Sequence, residues 1–368
     1  MPLTKYLYID HPFRLESGVT LPSVTAAYHT SGELNAARDN VIWVCHALTA
    51  NSDCQDWWPG LVGRGCTIDP EKYFIVCVNM LGSSYGSTSP LSHNPETGRR
   101  YGLDFPLVTT KDNARFFSLV ADYLGIRRIR LLMGGSMGGQ HSLEWACAEP
   151  HRFDLLCVLA TNARHSAWGI AFNESQRMAL RADPTLGTEA PQAGKAGLEA
   201  ARAIAMLSYR HYRTYVMSQS EPDEEMYDDF RASSYQRYQG YKLWKRFDPV
   251  CYYGLSRGMD THNVGRGRGG VAKALSAVSS PTLVISIDTD LLFPIEEQGI
   301  LSRYIPNSRL EVMHSDFGHD GFLTESVKIG EFLADFLSDQ LRIDATTKRA
   351  FTDGLTGRKF AVPGSEEV

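Results

Sequence analysis

The chain has 368 residues, of which 43% are hydrophobic and 21% charged, a composition that is typical of globular proteins and excludes disordered and low-complexity classes. Its formal net charge of −5 argues against a nucleic-acid binder or an anionic-membrane binder, because both need a basic surplus. The length alone allows two domains.

Short apolar runs separated by helical periodicity organise most of the chain. Residues 13–28 predict a hairpin that turns at residues 16–18. Six later runs are rich in Val, Ile or Leu and predict strands that are buried on both faces of a parallel sheet. These runs are residues 40–45, 73–78, 129–133, 155–160, 282–287 and 310–313. Helical spacing over residues 112–124 and 140–148 completes an α/β pattern with a mostly parallel sheet flanked by helices.

This alternation stops between about residues 162 and 280. Polar, helix-favouring stretches such as residues 197–209 and 221–237 replace it, and the strand pattern then resumes. One sheet interrupted by a helical insertion explains the pattern better than two consecutive domains. We therefore predict a first part of the core at residues 1–163, a helical lid at 164–280, a second part of the core at 281–341 and a C-terminal extension at 342–368.

The cysteines and the lengths of the apolar runs predict the cellular compartment of the protein. The seven cysteines include no C-x-x-C pair, and several lie in apolar runs, which predicts buried reduced thiols. Residues 1–6 lack the basic and apolar segments of a signal peptide, and no apolar run reaches the roughly 18 residues that span a membrane. We expect a cytoplasmic protein with no membrane-spanning segment.

The strongest chemical signal is the sequence Gly-Gly-Ser-Met-Gly-Gly at residues 134–139. This G-x-S-x-G motif follows a predicted strand and precedes a predicted helix, which is the setting of a nucleophile elbow. Small neighbours allow the tight turn that lifts the Ser136 hydroxyl above the sheet. The N–H of Met137, at the helix N-terminus, is then directed toward a developing oxyanion. Taken without this setting, the motif would also suit a phosphate loop or an ordinary turn.

A serine nucleophile needs a histidine base and a carboxylate that orients the histidine. In this fold the order along the chain is serine, acid, histidine. The predicted strand at residues 282–287 is followed by Asp288 and Asp290, and either is placed to be the acid. His314 and His319 follow the last predicted strand. We favour His319 because it follows a glycine on the loop, whereas His314 adjoins the strand.

A second oxyanion donor is expected on the loop after the strand at residues 40–45. The N–H of Leu48 is our candidate. His46 lies on the same loop, but no H-x-H, H-E-x-x-H or cysteine pair accompanies it, so we predict no metal site.

Further short motifs extend the pattern along the chain. They are residues 45–49 (Cys-His-Ala-Leu-Thr), 79–82 (Asn-Met-Leu-Gly), 85–88 (Tyr-Gly-Ser-Thr), 134–139, 143–145 (Leu-Glu-Trp), 171–173, 176–177, 246–248 (Arg-Phe-Asp), 259–260, 290–294 (Asp-Leu-Leu-Phe-Pro) and 318–320 (Gly-His-Asp). With these motifs the chain resembles the homoserine O-acetyltransferases of the α/β-hydrolase superfamily, up to about residue 341.

The resemblance implies roles that the residues alone do not. It implies that Asp290 is the acid and His319 the base, that Arg202 binds the carboxylate of an amino acid, and that Asp320 binds its amino group. It also implies acetyl transfer from acetyl-CoA, a co-substrate, to L-homoserine through an acyl-Ser136 intermediate with ping-pong kinetics, in methionine biosynthesis. No permanently bound cofactor is implied, and family members of this kind are homodimers joined through the lid helices.

Three departures from the family pattern bear on the substrates. Ser84 stands where the family usually has Cys, Ser89 where it has Gly, and Ser233 where it has Glu. They leave a succinyl donor or a serine acceptor as alternatives, beside a plain serine esterase and a non-catalytic binding protein. The phosphates of CoA need basic partners, but the sequence does not separate such partners from a solvated helix face. The candidates are Arg210, Arg213, Lys242, Lys245 and Arg246.

Overall fold

The computed structural model describes residues 3–340, which are built around an eight-stranded sheet. The strands are β1 (Lys5–Ile9), β2 (Phe13–Arg14), β3 (Thr20–Leu21), β4 (Val24–Ser31), β5 (Val41–Cys45), β6 (Phe74–Val78), β7 (Ile129–Gly135), β8 (Phe153–Leu159), β9 (Thr282–Ile287) and β10 (Ser308–Met313). The large sheet has the order β1-β4-β6-β5-β7-β8-β9-β10. It is antiparallel from β1 to β6 and parallel from β6 to β10. This confirms the predicted α/β-hydrolase sheet, including all six apolar runs.

The predicted hairpin over residues 13–28 is wrong in its pairing. β2 pairs with β3 and not with β4, because the N–H of Leu15 donates to the carbonyl of Val19 (2.7 Å) and closes the turn early. β4 instead runs antiparallel between β1 and β6 in the large sheet. The first strand, β1, was not predicted.

The central strands are buried on both faces, as predicted. In β5, Ile42 and Val44 belong to one apolar cluster, whereas Val41 and Trp43 belong to the cluster on the other face, and all four are at most 1% exposed. Alternation of this kind follows from the two-residue period of a strand.

Helices cover both faces of the sheet. They are α1 (Cys54–Trp57), α2 (Thr110–Tyr123), α3 (Met137–Ala148), α4 (Ala167–Ala182), α5 (Lys195–Tyr209), α6 (Tyr212–Gln219), α7 (Arg231–Trp244), α8 (Pro249–Asp260), α9 (Val271–Ser276), α10 (Ile295–Tyr304), α11 (Gly321–Thr324) and a last helix at residues 326–340. Thr109 and Asp112 form a capping box at the start of α2, which therefore begins two residues before the predicted helix.

Helices α4 to α9 occupy the interval between β8 and β9, where the helical insertion was predicted. The predicted helix at residues 197–209 is α5, but the one at 221–237 is wrong in its bounds. Residues 220–230 are not helical and α7 begins at Arg231, because Asp229 has a φ of 56°, outside the right-handed helical region. The division into core and lid segments stays a prediction, and the predicted extension at 342–368 lies outside the described residues.

All seven cysteines are free, and six of them are buried, in agreement with the prediction. Burial raises the pKa of the Cys157 thiol to about 12, so this side chain behaves as a small apolar group. Within residues 3–340 we find no helix with both the length and the apolar character needed to cross a membrane.

Candidate active site

Ser136 is the single residue between the end of β7 and the start of α3. Its φ of 56° and ψ of −127° are rare for a residue other than glycine. Two hydrogen bonds hold this turn: the N–H of Ser136 donates to the carbonyl of Leu159 (3.0 Å), and its carbonyl accepts from Thr161 Oγ1 (2.8 Å). The geometry is that of the predicted nucleophile elbow, at the carboxyl end of a central strand.

Gly138 lets the first turn of α3 approach the end of β5. A Cβ atom at this position would overlap the carbonyl oxygen of Cys45, so only glycine fits. The contact brings the N-terminus of α3, with the N–H of Met137, next to the loop that carries Leu48. Neither of these two N–H groups donates a hydrogen bond to another residue within 3–340, so both are available to a ligand.

The Gly138→Ala variant is expected to lose about 2–4 kcal/mol of unfolding free energy, because the added Cβ pushes α3 away from β5. A displacement of about 1 Å at the elbow is also expected to lower kcat about 100-fold. Gly254→Ala is the matched control, since a Cβ there, within α8, meets no atom within 4 Å. Urea unfolding and turnover of both variants check the prediction, and equal losses would contradict it.

Ser136, His319 and Asp290 form a continuous hydrogen-bonded relay. His319 Nδ1–H donates to Asp290 Oδ2 (2.7 Å), which leaves Nε2 to accept from the Ser136 hydroxyl (2.9 Å). Asp290 Oδ1 accepts from the N–H groups of Leu292 (2.8 Å) and Phe293 (2.9 Å), which fix the carboxylate. The structure therefore brings together the three residues expected to form the triad, all of them buried.

The other two candidates for acid and base form a separate pair. His314 Nδ1–H donates to Asp288 Oδ2 (2.7 Å), and the His314 side chain is 63% exposed. Neither residue lines the pocket that contains Ser136. The geometry thus favours Asp290 and His319 over Asp288 and His314.

His46 is a neutral structural residue beside the loop of Leu48. Burial lowers its pKa to about 4. Its Nδ1–H donates to the carbonyl of Ala47 (2.8 Å) and its Nε2 accepts from the N–H of Met80 (3.2 Å), so both nitrogens hold the loop. In the part of the chain that the structure describes, no group of three or more potential ligands is placed to hold a metal ion.

A pocket of about 300 Å³ opens beside Ser136 and His319. Arg202 and Asp320 both line it, so the two predicted substrate ligands share one cavity with the relay. A cavity of about 820 Å³ lies between α4, α8 and α10 but contains none of these four residues. Convergence of reactive groups, rather than volume, therefore identifies the candidate site.

Two residues at the end of α5 were not identified from the sequence as parts of the site: Tyr209 lines the pocket, and Arg210 contacts Asp320, which lines it. The guanidinium of Arg202 lies 5.1 Å from the ring centroid of Tyr209, and the centroids of Tyr209 and His319 are 5.6 Å apart. Arg210 Nε lies 2.8 Å from Asp320 Oδ2. The sequence spacing could have identified Tyr209, because it follows Arg202 by seven residues on one helix and therefore lies on the same face.

Known proteins share this architecture and sequence. Residues 40–326 match a family model described as alpha/beta hydrolase fold. The homoserine O-acetyltransferase of Cyclobacterium marinum is 47% identical over 329 residues, which cover 89% of this chain and 93% of the relative. The chain belongs to the homoserine O-acetyltransferase family.

Solved structures agree with this family membership. The homoserine O-acetyltransferase from Bacillus anthracis has a TM-score of 0.80 at 25% identity. The alignment covers 90% of this chain and 98% of the chain of that structure. Esterase E22 has a TM-score of 0.84 at 22% identity, and the alignment covers 92% of this chain and 100% of the esterase chain. At that identity, the similarity to the esterase shows the fold alone.

This member of the homoserine O-acetyltransferase family buries four histidines outside the relay. Burial lowers the pKa of His46 and His165 to about 4 and that of His141 and His262 to about 3. Below about pH 6.5 the unfolded chain binds protons at these sites and the folded chain does not, so stability falls as pH falls toward 4. At pH 5 each site lowers the free energy of unfolding by about 2 kcal/mol. The four sites together lower it by an amount comparable to the whole stability of a typical domain.

We therefore expect acid unfolding between about pH 6 and 4, and His141→Leu should move its midpoint about half a pH unit lower. Neither ring nitrogen of His141 has a hydrogen-bond partner among the described residues. Leucine therefore removes a titratable imidazole without removing a hydrogen bond. Circular dichroism against pH measures the transition. His151→Leu, at an exposed position, is the control, and an unshifted midpoint for His141→Leu would contradict the prediction.

Proposed function

We propose that this chain transfers the acetyl group of acetyl-CoA to the hydroxyl of L-homoserine, giving O-acetyl-L-homoserine and CoA for methionine biosynthesis. The observation that carries the proposal is one pocket in which the relay of Ser136, His319 and Asp290 meets the guanidinium of Arg202 and the carboxylate of Asp320. An α-amino acid presents one anion and one cation, and these two side chains match both. Family membership supports the acetyl group and homoserine.

In the first half-reaction, Ser136 attacks the thioester carbonyl of acetyl-CoA while His319 takes the hydroxyl proton and Asp290 stabilises the imidazolium. The N–H groups of Leu48 and Met137 stabilise the tetrahedral oxyanion, by about 3 kcal/mol each. The intermediate then loses its C–S bond. His319 returns the proton to the CoA thiolate, and the acetyl group stays on the serine.

In the second half-reaction, L-homoserine binds with its carboxylate at Arg202 and its ammonium at Asp320. His319 takes the proton of the homoserine hydroxyl, whose oxygen attacks the acetyl-serine carbonyl. The new ester leaves and the proton returns to Ser136, so the kinetics are ping-pong. These steps use side chains and two substrates, and no permanently bound cofactor takes part.

The distribution of cations supports a binding site for the CoA phosphates. Lys242 and Arg246 line the pocket, whereas Arg210, Arg213 and Lys245 do not. We therefore propose Lys242 and Arg246 as the phosphate ligands. Both have the positive charge that a phosphate needs.

Exposed apolar side chains support a homodimer through the inserted helices. The side chains with half or more of their surface exposed include Trp168, Met178, Leu207, Tyr212 and Met217. These five residues lie on three consecutive helices, α4, α5 and α6, and contiguous apolar surfaces are typical of protein interfaces. Light scattering is expected to give a dimer, and the double variant Leu207→Asp, Met217→Asp a monomer. Val327→Asp, at an exposed position on the last helix, should stay dimeric, and dimers of all three proteins would contradict the interface.

The free thiols support a reducing compartment. All seven cysteines are unpaired, and disulfides are the rule for small secreted proteins and not for cytosolic enzymes. We propose that the enzyme acts in the cytoplasm.

Free thiol released from acetyl-CoA, measured with and without L-homoserine, tests the proposed activity. We expect release to depend on homoserine and O-acetyl-L-homoserine to accumulate. Thiol release at a rate that does not depend on homoserine would indicate a hydrolase. Absence of thiol release would favour a binding protein. Parallel assays with succinyl-CoA and with L-serine decide the donor and the acceptor, since faster turnover with either would contradict the proposed pair.

A further inference from the structure

Two ion pairs join the end of α5 and the start of α6 to the loop that carries His319. Arg210 Nε lies 2.8 Å from Asp320 Oδ2, and Arg213 Nη1 lies 3.1 Å from Asp316 Oδ1. The two segments are in close contact, because a Cβ on Gly318, which has a φ of 64°, would meet the backbone at residues 209–211. The inserted helices are therefore fastened directly to the loop of the catalytic histidine.

The two ion pairs have different surroundings. The Arg210 and Asp320 side chains are 21% and 11% exposed, whereas those of Arg213 and Asp316 are 58% and 36% exposed. Asp320 lines the substrate pocket and Asp316 does not. A pair that is mostly withdrawn from water is screened less than an exposed one. Only the Arg210–Asp320 pair is therefore placed to influence what binds beside Ser136.

We propose that Arg210 is a positioning residue for the amino group of the acceptor. Its guanidinium pairs with Oδ2 of Asp320 by charge and without hydrogen-bond alignment, which orients the carboxylate. Neither oxygen accepts a hydrogen bond from the described residues, so Oδ1, which is outside the ion pair, is left for the substrate ammonium. A carboxylate has room for both partners, since each oxygen accepts separately. This inference rests on the proposed function and assigns acceptor recognition to a residue that does not itself bind the substrate.

The charges around Asp320 explain why a fixed carboxylate matters. Arg202 and the partly buried Tyr209 lie on the same side of the pocket, and Arg202 is the proposed ligand of the substrate carboxylate. A carboxylate free to rotate would turn toward this second guanidinium and compete with the substrate for it. By holding Asp320, Arg210 keeps the group that binds the substrate ammonium apart from Arg202, which binds the substrate carboxylate.

The test compares L-homoserine with 4-hydroxybutanoate, which has the same carboxylate and hydroxyl but no amino group. For Arg210→Gln we expect KM for L-homoserine to rise about 10- to 100-fold, in line with the loss of a charge-assisted contact, with kcat within about threefold. The catalytic efficiency with 4-hydroxybutanoate should change less than about threefold, because this acceptor does not use Asp320. Arg210→Lys keeps the charge and should recover part of the homoserine affinity.

Arg213→Gln is the matched control, since it breaks the other ion pair between the same two segments and is expected to leave both acceptors within about twofold. Thermal unfolding of each variant separates loss of fold from loss of recognition. An unchanged KM for homoserine in Arg210→Gln would overturn the inference. Equal losses with the two acceptors, or the same effect from Arg213→Gln, would also overturn it. Failure of the proposed function is distinct, because the wild-type protein would then release no thiol in response to homoserine.

Discussion

The Ser136→Ala variant is expected to lose about a millionfold in kcat, because the methyl group has no oxygen to carry the acetyl group. The relay of His319 and Asp290 stays in place but has no proton to accept from the nucleophile. Rates of homoserine-dependent thiol release measure the loss.

Ser142→Ala is the control for this substitution. Ser142 lies on α3, the helix that follows Ser136, is fully buried, and donates a side-chain hydrogen bond to the carbonyl of Gly138 (2.9 Å). Its replacement removes a similar hydroxyl from the same packing and should leave kcat within about threefold. Retention of more than about 1% of activity by Ser136→Ala would exclude this serine as the nucleophile.

Asp290→Asn is expected to lower kcat about 10⁴-fold without unfolding the chain. The amide oxygen can still accept from the N–H groups of Leu292 and Phe293, so the amide nitrogen turns toward His319 Nδ1. A donor at that point favours the tautomer whose proton lies on Nε2, which then cannot accept from the Ser136 hydroxyl. The substitution thus disables the base while the geometry is kept.

Asp288→Asn is the matched control, since Asp288 lies two residues away and also accepts a hydrogen bond from a histidine, the exposed His314. We expect its kcat to stay within about twofold of wild type, as for other exposed pairs. Steady-state kinetics of both variants decide between the two aspartates. A larger loss in Asp288→Asn than in Asp290→Asn would reverse the assignment.

Most of the sheet and the position of the nucleophile could be predicted because they depend on local patterns. Strands buried on both faces are continuous apolar runs, and a G-x-S-x-G motif between a strand and a helix has few other uses. His319 was preferred over His314 on its distance from the strand and its preceding glycine. The residues alone left Asp288 and Asp290 open as the acid, since both follow β9, and before the structure only the family resemblance favoured Asp290.

Features that depend on contacts between distant segments could not be predicted. β4 pairs with β1 and β6, and β6 lies more than 40 residues further along the chain, so this pairing is not visible in residues 13–28. Arg210 was one of several basic residues in the predicted insertion. Its proposed role depends on its contact with Asp320, which lies 110 residues further along the chain.

We propose that Ser136 carries the acetyl group from CoA to homoserine. Intact-protein mass spectrometry after rapid mixing with acetyl-CoA, without acceptor, tests it most directly. We predict the added mass of one acetyl group, located by peptide mapping at Ser136 and discharged when L-homoserine is added. Homoserine acetylation by a protein that never gains this mass, or an acetyl group on another residue that turns over at the catalytic rate, would contradict the account.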